Sequence, residues 1–340
     1  MSPDSAVVWR EENRNIFAQT IAAAAEQLSI PQLAVEKDYW VCQALRAIEE
    51  HAPGETIFKG GTSLEKQRLI ERFSEDIDLL VVGAYDSRRE VERALNGMCA
   101  AAQNALPGSV AEKRNSGGKP GSMHRSVYLS APLSPQARGS AIADPGGILV
   151  ELGQSGGDHP VNRRPVTSIL ARQLAVADIP IEAFADLAPF PVLMLHPGRT
   201  LLEKLLRVNN FAVDDARRSE HGWPRIGRQF YDIWALLGSD QVLTFLRDRV
   251  TAAAVLADCV RVSEDFLPDL PPPSGGFAAC EAFNPDWDHA SQLRAGHESA
   301  MRDLYYGATT PPNYDEVIDR IRSNEQLLNV AGGSGYPQQR

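Results

Sequence analysis

The fold of this chain is limited most by a glycine-rich segment that is followed closely by two spaced aspartates. A short apolar run leads into the segment, and Asp76 and Asp78 open the next apolar run. The stretch between the two motifs is long enough for one helix and one turn. The sequence therefore predicts a strand, a glycine turn, a helix and a second strand. The residues of the glycine segment are Lys59, Gly60, Gly61, Thr62 and Ser63.

Each motif supplies residue types that phosphate and metal chemistry require. Glycines allow the backbone to approach a triphosphate, and the N–H groups at the start of the next helix favour anions. The hydroxyl of Thr62 or Ser63 can donate a hydrogen bond to a phosphate oxygen. Side chains alternate along an extended chain, so Asp76 and Asp78 point the same way and can hold Mg²⁺. Two such ions, roughly 3.5–4 Å apart, would activate an attacking hydroxyl and stabilise a leaving pyrophosphate.

Neither motif is specific when it stands alone. A Gly-Gly-Thr segment is often only a tight turn, and an Asp-x-Asp pair is often a solvated strand end. Their ordered combination favours nucleotidyl transfer over both structural interpretations. The chain has no Walker A motif, so a P-loop function is disfavoured.

The overall composition sets limits on partners and location. The formal net charge of −10 disfavours a protein that coats nucleic acid nonspecifically, because such binding needs clustered cations. The 4 cysteines lack a Cys-x-x-Cys pair and the 7 histidines lack a His-x-x-x-His pair, so no zinc site is predicted. No apolar run approaches the roughly 20 residues that a membrane span requires, and the N-terminus lacks a signal-peptide pattern. We expect a cytoplasmic protein without membrane contacts.

The hydrophobic pattern predicts an α+β fold in two domains. Residues 1–195 should form an α/β domain with N-terminal helices, residues 196–330 a helical domain, and residues 331–340 a flexible tail. A basic, glycine-rich hairpin or loop is expected at 113–125, and a proline-rich linker at 267–276. Predicted strands are 56–58, 77–82, 109–111, 126–130, 147–152 and 166–170. Predicted helices are 15–28, 31–48, 64–70, 86–105, 200–211, 226–237, 241–259, 292–305 and 314–330.

Five segments together resemble one known family. Residues 59–64 and 72–79 closely resemble the signature of the AbiEii nucleotidyltransferase toxins, which are usually partnered with a dedicated antitoxin. Residues 36–40 are similar to that family's Glu-Lys-Asp-aromatic helix, 203–205 to its lysine motif, and 228–233 to its Arg-x-x-Tyr-Asp motif. The likeness spans about residues 30 to 240. It implies a polymerase-β-like nucleotidyltransferase core, a mixed sheet flanked by helices, followed by a helical domain.

The resemblance also implies a set of metal ligands. Asp76 and Asp78 would hold two Mg²⁺ ions, with a third carboxylate from a neighbouring strand. We assign that role to Glu151, because an acid within an apolar strand needs a cation or a hydrogen-bond partner to be buried. The alternative is that Glu151 lies exposed at a sheet edge. Asp144 is a weaker substitute, since the following Pro145 places it in a turn.

Two further candidates lie in the predicted helical domain. Lys204 has leucine neighbours on its helix, so it is either a surface residue with an extended side chain or a cation directed at the triphosphate. Asp232 lies among aromatic and aliphatic residues and could hold Lys204 or an arginine in position, or it could form a purely structural salt bridge. Arg228 precedes it by one helical turn and is a candidate NTP contact. In the N-terminal helix, Lys37 and Asp38 either brace the site or are structural.

These motifs predict an enzyme that moves NMP from an NTP to an acceptor and releases pyrophosphate. The resemblance implies that the acceptor is the 3′ end of tRNA, and that the protein is the toxin of a toxin–antitoxin system. Two alternatives stay open: a protein or small-molecule acceptor, or a nucleotide-binding protein without turnover. A path for RNA is suggested by basic residues, although charge runs are usually only solvated faces. They are Lys113, Arg114, Lys119 to Arg125, Arg163, Arg164, Arg207, Arg217, Arg218 and Arg225 to Arg228.

Overall fold

The computed structural model describes residues 7–74, 76–114, 123–133, 146–154, 156–220, 222–264 and 268–330. These residues form two compact units. The sheet unit contains the described residues up to Gln154, together with Val161–Met194 and Tyr306–Ala308. The helical unit contains the segment ending at Pro160, Leu195–Tyr305 and the described residues from Thr309 onward. The predicted tail at 331–340 and the candidate Asp144 lie outside the described residues.

The sheet unit is built around a mixed sheet. Its strands are β1 (Thr56–Lys59), β2 (Ile77–Val81), β3 (Ala111–Arg114), β4 (His124–Ser130), β5 (Gly147–Gly153), β6 (Val161–Val166) and β7 (Phe190–Leu195). They lie in the order β3-β4-β5-β2-β1-β7-β6. β1 runs antiparallel to β2 and parallel to β7, β2 runs parallel to β5, and β4 runs antiparallel to both β5 and β3. The predicted mixed sheet flanked by helices is confirmed. The helices are α1 (Trp9–Glu12), α2 (Phe17–Leu28), α3 (Gln32–His51), α4 (Gly60–Lys66), α5 (Arg88–Asn104) and α6 (Ile169–Val176).

The two faces of the central strands differ in chemistry because side chains alternate along them. One face is apolar and fully buried, with Phe58, Leu79, Val150 and Val127 at most 3% exposed. Helix α3 contacts β5, and α5 contacts β4. The residues between these apolar positions point to the opposite face, and that face carries the polar side chains of both sequence motifs.

In the helical unit, the backbones of α9 (Trp223–Leu236) and α12 (Ala290–Leu304) approach each other closely. A Cβ atom on Gly227 of α9 would lie 2.4 Å from the carbonyl carbon of Gly296 in α12, and one on Gly296 would lie 2.5 Å from the Trp223 carbonyl oxygen. Only glycine permits two helices to approach this closely. The helices of this unit are α7 (Pro197–Val213), α8 (Asp215–Glu220), α9 (Trp223–Leu236), α10 (Asp240–Arg247), α11 (Arg249–Ser263), α12 (Ala290–Leu304), α13 (Tyr314–Ser323) and α14 (Glu325–Leu328).

Several predicted elements were wrong in detail. The strand predicted at 166–170 is the end of β6 followed by α6, which begins after Ser168 because that side chain caps the Ala171 N–H. The single helix predicted at 241–259 is two helices, since Asp248 ends α10 and caps α11 by accepting from Thr251. Strand β7 was missed, because Pro191 interrupts its apolar run.

Candidate active site

The glycine turn joins β1 directly to α4. β1 ends at Lys59 and α4 begins at Gly60, whose φ of +77° lies in the left-handed region. A Cβ atom on Gly60 would lie 3.4 Å from the Oδ2 atom of Asp78. Both the backbone conformation and the close carboxylate therefore favour glycine at this position. The turn and the second aspartate are immediate neighbours.

The second half of the turn is fixed by the residues that precede the aspartates. A Cβ atom on Gly61 would lie 2.8 Å from Ser74 Oγ and 2.9 Å from Arg72 Nη2, so these side chains pack against the bare backbone. The Thr62 hydroxyl donates to Ser74 Oγ at 3.0 Å. Ser63 Oγ accepts from the Gln67 amide at 3.2 Å, and both hydroxyl residues are buried. These hydroxyls support the turn from inside, so donation to a phosphate would require them to change partners.

Strand register brings the charged candidates into one row across the sheet. Lys59 of β1 is paired with Asp78 of β2, Asp78 with Glu151 of β5, and Glu151 with Ser126 of β4. Paired residues on neighbouring strands point to the same face. Asp78 and Glu151 therefore project side by side from adjacent central strands. Glu151 is half-buried and does not lie at a sheet edge, so the edge interpretation was wrong.

A lysine amine already contacts the second aspartate. Lys59 Nζ lies 3.0 Å from both Oδ1 and Oδ2 of Asp78, and the two side chains are 26% and 32% exposed. Asp76 is exposed and lies just before β2. Within the described residues, no three His, Cys, Asp or Glu side chains are already arranged to hold a metal ion. Asp78 would have to exchange the Lys59 ammonium for such an ion.

A histidine that the sequence did not single out lies on the same face. His124 of β4 is paired with Gly153 of β5, and a Cβ atom on Gly153 would lie 2.9 Å from the imidazole Cδ2. The ring therefore extends over the glycine. Burial lowers the pKa of His124 below its ordinary value, against the opposing effect of the Asp78 charge. Its Nδ1 atom is buried and has no hydrogen-bond partner among the described atoms.

A buried charge network fixes α4 from the end opposite the glycine turn. Lys66, the last residue of α4, forms ion pairs with Asp38 of α3 and, at 2.8 Å, with Glu65. Arg172 of α6 and the Tyr306 hydroxyl also bind the Glu65 carboxylate. The Asp38, Glu65 and Lys66 side chains are at most 2% exposed, which requires such mutual compensation. Asp38 thus contacts the helix that carries the glycine turn.

Protonation in this network follows from the charges around each group. Burial alone would raise the pKa of Glu65, but Lys66 and Arg172 lower it to about 2. Burial alone would lower the pKa of Lys66, but the Asp38 carboxylate raises it above its ordinary value. Glu65 and Lys66 are therefore both charged near neutral pH. Lys37 is also buried, at 1% exposure, so neither member of the Lys-Asp pair in α3 is a surface residue.

The two candidates of the helical unit form a buried ion pair. Lys204 Nζ of α7 lies 2.7 Å from Asp232 Oδ2 of α9 and donates to Gln229 Oε1 at 2.8 Å. Lys204 is 8% exposed and Asp232 is 0% exposed, so the surface interpretation of Lys204 was wrong. This ion pair is compatible with a positioning role for Asp232 and with a purely structural salt bridge, so the role of Asp232 stays a prediction. Arg228 is half-buried on the preceding turn of α9, and its contact with an NTP stays a prediction.

The basic residues suggested as an RNA path are partly compensated by acids. Arg217 pairs with Asp214 at 3.1 Å, and Arg218 pairs with Asp215 at 2.9 Å. Arg163 and Arg164 are exposed on β6, the strand at the end of the sheet order. Part of the predicted basic loop, 115–122, lies outside the described residues. Arg163 is also compensated, since its guanidinium lies 3.6 Å from the Glu49 carboxylate.

Sequence comparison agrees with the geometry of the glycine turn and the aspartates. Residues 43–320 match the family described as "Nucleotidyl transferase AbiEii toxin, Type IV TA system". The chain belongs to this family. It is therefore a nucleotidyltransferase of the AbiEii type, and its family comprises the toxins of type IV toxin–antitoxin systems. No curated protein has a sequence that matches this chain.

Two solved structures have low similarity to this AbiEii-family chain. One is titled a "putative nucleotidyltransferase from H. pylori", at 13% identity and a TM-score of 0.36, covering 86% of this chain and 96% of that one. The other is JHP933 from Helicobacter pylori, at 12% identity and a TM-score of 0.34, covering 88% and 98% respectively. Among the described residues, no helix is both long and apolar enough to cross a bilayer.

Proposed function

We propose that this nucleotidyltransferase uses Mg²⁺ to transfer NMP from an NTP to an RNA acceptor, the 3′ end of tRNA, in the cytoplasm. The main support is the register of Asp78 with Glu151 beside the glycine turn. That register puts two carboxylates on one face, next to a backbone that can approach phosphates closely. Neither a purely structural turn nor a simple strand end requires this combination.

The residues present suit a hard divalent cation. Asp78 already accepts a cationic group on both carboxylate oxygens, and the pair is partly exposed, so an ion from solvent can reach it. Asp76, Asp78 and Glu151 would hold the metal through oxygen atoms, the ligand type that Mg²⁺ prefers. The bound metal would supply positive charge to the reacting phosphates.

The chain's own groups have separate tasks in this proposal. Gly60 and Gly61 leave the backbone bare where the triphosphate approaches, and the buried network behind α4 keeps that turn in place. Lys59, once released from Asp78, is a cation at the start of the turn that can pair with a phosphate. These interactions bind and orient the NTP for attack by the acceptor hydroxyl.

Lys204 is proposed as a cation that stabilises the leaving pyrophosphate. A buried lysine keeps its charge only when a carboxylate compensates it, and Asp232 does so at 2.7 Å. The Gln229 amide oxygen fixes the direction of the ammonium group. Asp232 is then a positioning residue, which acts on the substrate only through Lys204.

An RNA acceptor fits the toxin role of the family. A nucleotide added to the 3′ end of tRNA would prevent aminoacylation and stop translation, which explains toxicity in one step. The family's type IV system also implies a cognate antitoxin as a partner. The net charge of −10 favours a small RNA footprint over an extended one.

The test is transfer of label from each of the four NTPs, labelled at the α-phosphate, in the presence of Mg²⁺. Total RNA, total protein and an aminoglycoside would be offered as separate acceptors. The proposal predicts labelled tRNA with the wild-type chain, and none with Asp78→Asn or with EDTA. Labelled protein or aminoglycoside would instead identify another acceptor, and binding of NTP without transfer to any acceptor would contradict turnover.

A further inference from the structure

The imidazole of His124 lies on the carboxylate face of the sheet. Its Cδ2 atom lies 2.9 Å from the position of a Cβ on Gly153, and Cγ and Nε2 both lie at 3.8 Å. The Cδ2 side of the ring therefore lies over β5, the strand between β4 and β2. Nδ1 is the buried nitrogen. The absence of a side chain at Gly153 is what makes room for this orientation.

The environment of the two nitrogens determines which one carries the proton. A neutral imidazole has one N–H donor and one acceptor nitrogen. Among backbone groups, buried N–H donors without a partner are rarer than under-satisfied acceptors, and we apply the same order to the imidazole. Because Nδ1 has no partner among the described atoms, the proton belongs on Nε2. His124 therefore directs a hydrogen-bond donor over Gly153.

The position of His124 in the sheet indicates which substrate it meets. The glycine turn follows β1, on one side of Asp78, and His124 lies on β4, on the other side. In an in-line displacement, the attacking and leaving oxygens stand on opposite sides of the reacting phosphorus. With the triphosphate at the glycine turn, the acceptor approaches from the side of β5 and β4.

We propose that His124 binds the acceptor by donating a hydrogen bond from Nε2 to one of its oxygen atoms. This inference rests on the proposed function and extends it to the second substrate. His124 would then determine the affinity for the acceptor, while the affinity for the NTP depends on the glycine turn and the carboxylates. The two affinities can be measured separately.

The test compares three substitutions that differ in where they place a donor. The amide nitrogen of His124→Gln reaches the position of Nε2, that of His124→Asn reaches only the position of Nδ1, and His124→Leu has no donor. We expect Asn and Leu to raise both the KM and the Kd for tRNA by roughly threefold to tenfold, the effect of one hydrogen bond. Gln should restore most of the wild-type affinity. All three should keep the wild-type KM for NTP.

The binding measurement uses tRNA labelled at its 5′ end, followed by fluorescence anisotropy with Mg²⁺ present. His51→Leu, an exposed histidine at the end of α3, is the matched control and should change neither affinity. Equal tRNA affinities in the wild-type, Asn and Leu proteins would overturn the role of His124 while leaving the proposed function intact. A raised KM for NTP would overturn it as well. Wild-type protein that neither binds nor labels tRNA would overturn the proposed acceptor and, with it, this inference.

Discussion

The ammonium group of Lys59 lies 3.0 Å from each carboxylate oxygen of Asp78, across two antiparallel strands. This pair connects the glycine segment to the Asp-x-Asp motif. The lysine ends the strand before the glycine turn, and the aspartate is the second of the Asp-x-Asp pair. Asp78 therefore already has a cation beside it, and the proposed metal binding would exchange one cation for another.

Replacing Lys59 should strengthen metal binding and weaken turnover. In Lys59→Met the metal no longer competes with an ammonium group, and the pair is exposed enough that the effect is modest, about 0.2–1 kcal/mol. Calorimetric titration with Mn²⁺ should show a lower Kd than in the wild-type protein, with a reduced kcat/KM for NTP. Lys59→Arg keeps the competing charge and serves as the control. A higher Kd in Lys59→Met would mean that the lysine assists the metal.

Replacing Gly60 should reduce activity more than the accompanying loss of folding stability can explain. Gly60→Ala places a side chain at a φ of +77° and beside Asp78, with a backbone cost of about 1–2 kcal/mol. Gly108 is a matched control, since its φ is +72° and a Cβ there would meet nothing within 4 Å. Urea unfolding should show similar losses for both alanine variants, whereas only Gly60→Ala should lose NTP binding. Equal NTP binding in the two variants would show that the turn is only structural.

The ion pair of the helical unit can be tested by a double-mutant cycle. Lys204→Met removes the cation that lies 2.7 Å from the buried Asp232 carboxylate, so we expect a loss of about 3–5 kcal/mol in the free energy of unfolding. Adding Asp232→Asn should recover much of that loss, because the remaining pair is neutral. Transfer activity should stay low in the double variant if Lys204 acts on the pyrophosphate. Recovery of kcat/KM together with stability would reduce the pair to a structural role.

The acid network behind α4 makes a prediction about pH. The pKa of Glu65 is lowered to about 2 in the folded protein by Lys66 and Arg172, which outweigh its burial, so its charged form stabilises the fold above the ordinary value of 4.5. This contribution is lost as the pH falls from about 4.5 to about 2. Glu65→Gln lacks it. The difference in the free energy of unfolding between wild-type and Glu65→Gln should therefore be largest at neutral pH and should shrink below pH 4.5. A difference that is constant with pH would contradict the assigned cause.

Motifs of short sequence span could be predicted because their geometry is local. The turn at Gly60 follows from its neighbouring residues, and strand alternation places Asp78 on the polar face. The common face of Asp76 and Asp78 stays a prediction, because Asp76 precedes β2. The register of Asp78 with Glu151 is not local, since it depends on a parallel pairing between distant strands. The sequence suggested Glu151 only through its apolar surroundings, and the register then placed it beside Asp78.

His124 and the network behind α4 could not be predicted in the same way. A single histidine in a polar strand has no periodicity or spacing that distinguishes it, and Gly153 gives no sign of the ring above it. Glu65 and Lys66 looked like ordinary polar residues of a short helix. Their burial depends on partners in α3, α6 and the segment at Tyr306, which only the tertiary structure brings together.

Cation binding at Asp78 and Glu151 is the most direct test of the proposed metal site. Electron paramagnetic resonance of Mn²⁺, titrated in the presence of NTP, would compare the wild-type protein with Asp78→Asn and Glu151→Gln. Glu92→Gln, an exposed substitution on α5, is the control. A metal site at these two carboxylates predicts that Asp78→Asn loses bound Mn²⁺, that Glu151→Gln binds it more weakly, and that the control binds it as the wild-type does. Wild-type Mn²⁺ binding in both carboxylate variants would contradict it.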